Sequence, residues 1–194
     1  MTHIPANRSP GRLRRWCVRA AFVVLVSPGL VVSGLAGAAA KPETSPSGVH
    51  GAVNVTVWSI DSDGAYFQSI VSGAIGDFGP AISILPSGKV DPAHSSELEL
   101  RLQHGTFRLD IHGMASKLRA ETAHEPVYRS TCSDYFRVTA PVPVVTGSGT
   151  GRYRGLTGTL AMSLVINEVE SPSCNGMSRQ LIVLSGSGMM SKGG

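Results

Sequence analysis

Apolar and polar residues alternate with a period of two through most of the chain after residue 50. Successive side chains of a β-strand point to opposite faces, so this pattern predicts strands with one buried and one solvated face. A short surface helix is favoured only at residues 115–123. The predicted strands number eight and cover residues 53–60, 66–71, 78–85, the two halves of 97–112, 128–140, 157–168 and 180–189.

The number of strands predicts the fold class. An antiparallel sheet of eight strands can close on itself and leave no free edge. We therefore predict an all-β fold, an eight-stranded antiparallel β-barrel. A two-sheet β-sandwich has the same alternation and the same turn spacing, so it stands as the alternative.

The segment 97–112 is the clearest hairpin. A two-residue turn at residues 104–105 would place Leu102 opposite Phe107 and Leu100 opposite Leu109. Glycine at the second turn position supplies the positive φ that a tight hairpin turn needs. One face of the hairpin is then wholly apolar and is expected to contribute to the core.

The opposite face of this hairpin carries Glu99, Arg101, Arg108 and Asp110. Diagonal contacts would pair Arg101 with Asp110 and Glu99 with Arg108. We interpret the four charges as a solvated outer face, in which each pair contributes less than about 1 kcal/mol. In the alternative, the face lines a polar barrel cavity, and Arg101, Arg108 and Asp110 become candidates for ligand binding.

The first 40 residues resemble an export signal. Five arginines precede an apolar run at residues 20–35, and Ala38–Ala40 supplies the small residues of a cleavage site. A membrane anchor is disfavoured because residues 27–29 and 33–34 interrupt the run. We predict a signal peptide at 1–40, a flexible lead-in at 41–49, a single barrel domain at 50–194 and a secreted protein. The general and twin-arginine export routes both stay open.

Removal of the signal changes the charge of the protein. All five basic residues of the first 40 are lost, so twelve basic and thirteen acidic residues remain, with a formal charge of −1. Binding to nucleic acid needs clustered Lys and Arg, so we expect no nucleic-acid partner. No stable membrane span is expected after cleavage.

Two cysteines, Cys132 and Cys174, follow the signal. An oxidising compartment favours their pairing, and they form the only intramolecular pair in that part of the chain. The reactive-thiol alternative has little support, because neither cysteine has a neighbouring group that would lower its pKa.

A glycine-spaced segment, residues 142–160, joins the predicted sixth and seventh strands. It resembles the signature of the allene oxide cyclase and dirigent barrels, which is Gly-Gly-Thr-Gly followed by any residue, an aromatic residue and a glycine ending. Ser148 stands where the pattern has its first glycine. Weaker similarity to small secreted bacterial members of this superfamily lies at residues 73–79 and 184–189. The residues that match the signature are Gly149, Thr150, Gly151, Tyr153 and Gly158.

The physical interpretation of this segment is structural. Glycines, including Gly155, let the backbone turn sharply, and Tyr153 is placed to plug one barrel end, where it is also a candidate to line a ligand cavity. The glycines lack the spacing of a dinucleotide-binding loop, and no Lys-Ser/Thr follows them for phosphate. We therefore expect no nucleotide cofactor.

The resemblance implies two kinds of function. The cyclases bind an epoxide fatty acid in an apolar barrel with a carboxylate as helper, a role for which Glu168 is the candidate. Dirigent proteins hold phenoxy radicals beside Asp and Arg side chains, which Asp110 and Arg101 would represent. The resemblance also implies that a trimer is one available oligomeric state.

Familiar catalytic and metal-binding patterns are absent from the sequence. It has no G-x-S-x-G motif, and its histidines lack the spacing of a zinc site, so no metal is predicted.

The first functional hypothesis is a secreted barrel that binds a small apolar or aromatic molecule. The alternatives are an isomerase or coupling-directing protein, and a structural or surface-interaction protein with a packed barrel. Interior side-chain size distinguishes the first from the last.

Overall fold

All eight predicted strands are present in the computed structural model, which describes residues 49–60, 63–123, 128–170, 174 and 179–193. The predicted signal peptide and most of the lead-in lie outside these residues. An α-helix, α1 (His112–Thr122), follows the fifth strand, and a short 3-10 helix at Gly151–Tyr153 precedes the seventh. The strands are β1 (His50–Ser59), β2 (Tyr66–Gly73), β3 (Asp77–Ile84), β4 (Glu97–Leu102), β5 (Gly105–Asp110), β6 (Ser133–Pro143), β7 (Leu156–Val169) and β8 (Arg179–Lys192).

The strands form one antiparallel sheet in the order β5-β4-β3-β2-β1-β8-β7-β6. All neighbours except β1 and β8 are consecutive in the chain, so the sheet consists of two meanders joined by the pairing of the first and last strands. The single sheet shows that the sandwich alternative is wrong. The sheet curls into a half-barrel rather than a closed barrel, so the prediction of a barrel is confirmed only in this coarser form.

The curled sheet buries the apolar side chains of its concave face. Val53, Val55 and Val57 of β1 are at most 1% exposed and alternate with exposed residues, as the sequence pattern predicts. The corresponding inward residues of β7 include Leu160 and Met162. The amphipathic alternation therefore explains why these segments are strands and which face is buried.

The two edge strands, β5 and β6, meet through a loop instead of a continuous ladder. Within the described residues, their strand-like contact is an isolated bridge between Leu109 and Val144. Beyond it, the loop after β6 hydrogen-bonds along β5. Thr150 N donates to Thr106 O at 2.8 Å, and Val145 N donates to Arg108 O at 2.9 Å. The loop thus satisfies backbone groups that a free edge would leave unpaired.

Helix α1 packs beside β6. It occupies the upper part of the junction between β5 and β6, where the two strands do not pair. Its residues include strong helix formers such as Ala115, Leu118 and Arg119. Met114 is buried in the core, and Lys117 Nζ donates to the carbonyl oxygen of Thr139 on β6 at 2.7 Å. The sequence predicted this helix as a surface element, but its one buried side chain closes part of the core.

The β4–β5 hairpin has a register that differs by two residues from the predicted one. Leu102 pairs with Gly105 and Leu100 pairs with Phe107, so the turn lies at Gln103 and His104. The predicted turn at residues 104–105 is therefore wrong. A shift of two residues keeps every side chain on its own face, which is why the apolar face was still assigned correctly.

Strand β6 begins at Ser133, five residues later than predicted. The preceding residues form a turn in which Thr131 N donates to Tyr128 O and Cys132 has a φ of 51°. A disulfide joins Cys132 to Cys174, with 5.1 Å between the Cα atoms and a sequence separation of 42. This pairing confirms the predicted disulfide.

The described residues belong to a single compact unit. Val49, placed in the flexible lead-in by the sequence, is 4% exposed, and its carbonyl accepts a hydrogen bond from Lys192 N at 2.8 Å. The fold therefore includes this residue. None of the helices in the described ranges is long and apolar enough to cross a membrane.

Candidate functional site

The half-barrel has two different ends. The lower end holds the β6–β7 loop and the β4–β5 turn, and the upper end holds α1 and the β3–β4 connection. Large side chains fill the lower end. Tyr153, 1% exposed, packs edge-to-face against Phe107 with ring centroids 5.4 Å apart. Tyr153 thus closes the core at this end, in the position between β6 and β7 that the sequence predicts.

A buried carboxylate anchors Tyr153. The Tyr153 hydroxyl donates to Asp77 Oδ2, which also accepts from the backbone N–H of His104 at 3.1 Å and lies 3.0 Å from its ring Nδ1. The other oxygen, Asp77 Oδ1, accepts from Phe78 N at 2.8 Å and from Gln103 N at 3.3 Å. One side chain therefore ties the start of β3 to the β4–β5 turn and to the β6–β7 loop.

The protonation of these groups follows from their surroundings. Burial opposes the charge on Asp77, but the hydrogen bonds from Tyr153, His104 and Phe78 outweigh it and lower the pKa of Asp77 to about 2. Burial, together with the adjacent Asp77 carboxylate, raises the pKa of Tyr153 well above its usual value. At neutral pH the pair is a charged acceptor and a neutral donor, which is a stable arrangement.

The upper end contains a cavity of about 160 Å³. Its walls are mainly apolar, and Phe67, Leu98 and Met114 are each at most 3% exposed. Contributions come from the helix, from five strands and from the connecting loops. The apolar lining residues are Phe67, Pro92, Ala93, Leu98, Ile111, Met114, Ala115, Leu118, Leu164, Ile166, Ile182 and Leu184, and the others are Asp63, Gly64, Ser83, Ser95 and Arg119.

The inward residues of β3 help to explain why space remains on this side of the core. The last of them, Ser83, lines the cavity, whereas the inward positions of neighbouring β4 are leucines. A small side chain at this point leaves volume that the opposite wall does not fill.

The cavity contains few polar groups, and they differ in whether they are hydrogen-bonded to the protein. Ser83 is 4% exposed, and its hydroxyl makes no hydrogen bond to any residue in the described part of the chain. Ser95 Oγ lies 3.4 Å from Pro92 O, to which it donates. Asp63 and Arg119 are exposed residues at the rim, where Asp63 Oδ1 accepts from Ala65 N and Arg119 Nη2 donates to Ser116 Oγ.

The charged candidates of the β4–β5 hairpin lie on the outer, convex face. Arg108 donates from Nε to Glu99 Oε2 at 3.1 Å and from Nη1 to Glu97 Oε2 at 3.2 Å. Arg101 Nε donates to Glu99 Oε1 at 2.5 Å, so it joins the same cluster through a neighbour on its own strand. None of the three arginine–glutamate contacts reaches the cavity.

Asp110 is separated from Arg101. It pairs across the sheet with Glu97, and its Oδ1 accepts from His112 N at 2.9 Å, near the start of α1. The predicted diagonal contact of Arg101 with Asp110 is therefore not formed, because the hairpin register places Thr106 opposite Arg101. The Glu99–Arg108 contact is formed, but as a direct cross-strand pair.

Glu168 lies near the end of β7, in register with Asp134 and Gln180. It has the same parity as the inward residues Leu164 and Ile166, but it is only half-buried and is not part of the cavity wall. The structure therefore places it at the upper rim of the half-barrel.

The glycine-spaced loop is packed too closely for larger residues. A Cβ on Gly149 would collide with the carbonyl oxygen of Tyr153, and Gly151, at a φ of 54°, contacts the backbone of His104. Thr150 Oγ1 accepts from Thr106 N at 3.0 Å. Gly155 and Gly158 also have positive φ values. Thr150 and Gly151 hold the loop against the start of β5, whereas Gly158 packs against Met189 and Met190 of β8.

The sequence analysis did not identify Asp77, His104 or Ser83 as candidates. Asp77 is an acid directly before an extended run, and Ser83 has the inward parity of β3. Neither residue can be recognised as a site residue from these features until the strand register and the neighbouring strands are known. The described residues contain no group of three or more His, Cys, Asp or Glu side chains that could hold a metal ion.

Comparison with protein-family models, with curated protein sequences and with solved structures finds no match to this chain. The similarity to allene oxide cyclase and dirigent barrels stays a prediction from the sequence signature.

Proposed function

We propose that this protein binds a small, largely apolar molecule in the cavity at the upper end of the half-barrel. The observation that carries the proposal is a void of about 160 Å³ walled by buried apolar side chains beneath α1. An engineered apolar cavity of about 150 Å³ is large enough to bind benzene. A ligand with about one six-membered ring therefore fits the space in the described structure.

The energetic argument is the burial of apolar surface. The cavity is partly open to solvent at its rim, where Asp63 and Arg119 lie. A ligand that fills it makes dispersion contacts with the walls and removes apolar surface of both the walls and the ligand from water. The resemblance to barrels that hold their ligands in an apolar interior supports the same conclusion.

The predicted export signal and the disulfide indicate the compartment in which the protein acts. We propose that the protein acts outside the cell, because its first 40 residues have the order of a signal peptide and its two remaining cysteines form a disulfide. Amino-terminal sequencing of protein from the culture medium tests this proposal. A chain that begins before residue 38 would contradict cleavage at the predicted site.

Filling of the cavity tests the binding proposal. Ala115 of α1 lines the cavity, whereas Ala120, on the same helix, is exposed and does not. Ala115→Leu should weaken binding of toluene at least tenfold, and the matched variant Ala120→Leu should leave it unchanged. Chemical-shift titration of the methyl groups of the protein measures both affinities.

The ligand itself is sought by mass spectrometry of organic extracts from natively secreted protein. A compound of one-ring size that is absent from extracts of Ala115→Leu would support the proposal. Failure of toluene and of natural extracts to bind the parent protein would instead favour the packed structural alternative, which the filled lower end already supports.

A further inference from the structure

One hydroxyl in the cavity wall makes no hydrogen bond to a described residue. Ser83 points inward at the end of β3, is 4% exposed, and its hydroxyl makes no hydrogen bond within the described ranges. Ser69, the other buried inward-facing serine in this part of the sheet, differs in this respect, since its hydroxyl donates to Gly79 O at 2.8 Å. The Ser83 hydroxyl faces the cavity, and no described residue uses its donor, so it is placed to bond to a ligand.

The charges around the cavity indicate that this ligand is neutral. The described lining residues include one acid, Asp63, and one base, Arg119, both exposed at the rim. The inner wall offers no counter-ion to a buried charge, and an unpaired charge in apolar surroundings is costly. A carboxylate or an ammonium group inside the cavity would therefore be disfavoured.

We infer that the cavity selects neutral, one-ring-sized molecules that carry a single oxygen, a hydroxyl or a carbonyl, and that Ser83 Oγ recognises this oxygen by donating a hydrogen bond. The inference rests on the proposed function and adds the polar group of the ligand. Ser95, whose hydroxyl already donates to Pro92 O, supplies no second free donor. The ligand is thus expected to be apolar everywhere except at one atom.

Phenol and toluene test this inference, because they have nearly the same shape and differ in one hydroxyl group. The dissociation constant of each is measured by chemical-shift titration of the parent protein and of three variants. In Ser83→Ala, the preference for phenol over toluene should fall roughly two- to tenfold, as expected for one lost hydrogen bond. Ser83→Thr retains the hydroxyl and should retain the preference.

Ser69→Ala is the matched control, since it removes a buried hydroxyl that does not line the cavity. It should leave the phenol preference unchanged and lower the free energy of unfolding. Ser83→Ala should leave the free energy of unfolding unchanged, because the hydroxyl that it removes makes no hydrogen bond to a described residue. This difference separates a binding role of Ser83 from a role in stability.

The outcomes distinguish the two proposals. If both probes bind the parent and Ser83→Ala leaves their ratio unchanged, the inference about Ser83 is overturned while cavity binding stands. Loss of phenol preference in Ser69→Ala as well would also overturn it. If neither phenol nor toluene binds, the proposed function fails, and the inference fails with it.

Discussion

Asp77 is the most connected side chain in the described structure, and its replacement by asparagine is the sharpest test of how the lower end is held. Its two oxygens accept hydrogen bonds from Tyr153, Gln103, His104 and Phe78. In Asp77→Asn, one oxygen becomes an amide group that only donates. Two or more donors would then face another donor, at the place where three segments of the chain meet.

The magnitude of the effect follows from the pKa of Asp77. The folded protein lowers this pKa from 3.8 to about 2, which corresponds to roughly 2 kcal/mol of stability for the ionised side chain. Because the folded value is the lower one, this contribution is present above pH 4. It is lost as the pH falls through about 2. Asp77→Asn should therefore lose roughly 2 kcal/mol at pH 7 and less at pH 2.

Urea unfolding followed by tryptophan fluorescence measures the free energy of unfolding of parent and variant at pH 7, 4, 3 and 2. Asp110→Asn is the matched control, since Asp110 is only half-buried and accepts one backbone hydrogen bond that asparagine can also accept. It should change the free energy by less than about 0.5 kcal/mol. The reasoning is refuted if Asp77→Asn is equally mild at pH 7, or if its deficit does not shrink between pH 4 and pH 2.

Two further predictions concern covalent and backbone constraints. Replacement of both Cys132 and Cys174 by serine should lower the free energy of unfolding by roughly 4 kcal/mol, as chain entropy predicts for a loop of this length, and urea unfolding measures it. Secreted parent protein that shows two free thiols under denaturing, non-reducing conditions would contradict the disulfide. Gly149→Ala should cost roughly 1–3 kcal/mol, because its methyl group meets the Tyr153 carbonyl. Gly113→Ala, in the first turn of α1 with open space around it, should be neutral or stabilising, and equal effects at the two glycines would contradict the packing argument.

The sequence was a good guide to the strands and a poorer guide to their ends. The alternation that buries Val53, Val55 and Val57 is local, so it can be recognised without knowing any partner strand. The hairpin turn was misplaced by one residue, because Gln103–His104 and His104–Gly105 both leave the leucines on the same face. The contacts that distinguish them come from residues distant in sequence: Asp77, which accepts from Gln103 N and His104 N, and the β6–β7 loop, which contacts Gly105.

Long-range contacts limited the prediction of the candidate site even more than the prediction of the strand ends. Tyr153 was identified through its glycine-rich surroundings, but its partner Asp77 is 76 residues away. Ser83 stands in an ordinary strand pattern. Only the tertiary structure places α1 and β7 around a cavity beside its hydroxyl. No local pattern reports the volume between facing side chains.

The sequence alone determined that the chain is mainly β, which faces of its strands are apolar, and which cysteines can pair. The period of a strand can be recognised from neighbouring residues, and only two cysteines follow the predicted signal, so neither conclusion needs the folded structure. Tertiary structure alone decided that the sheet stops at a half-barrel, since α1 and the glycine loop take the place of a ladder between β5 and β6. It also decided that one end is packed around Tyr153 while the other retains a cavity beside Ser83. These features depend on how volumes and hydrogen-bonding groups from distant segments fit together, which the order of residues does not state.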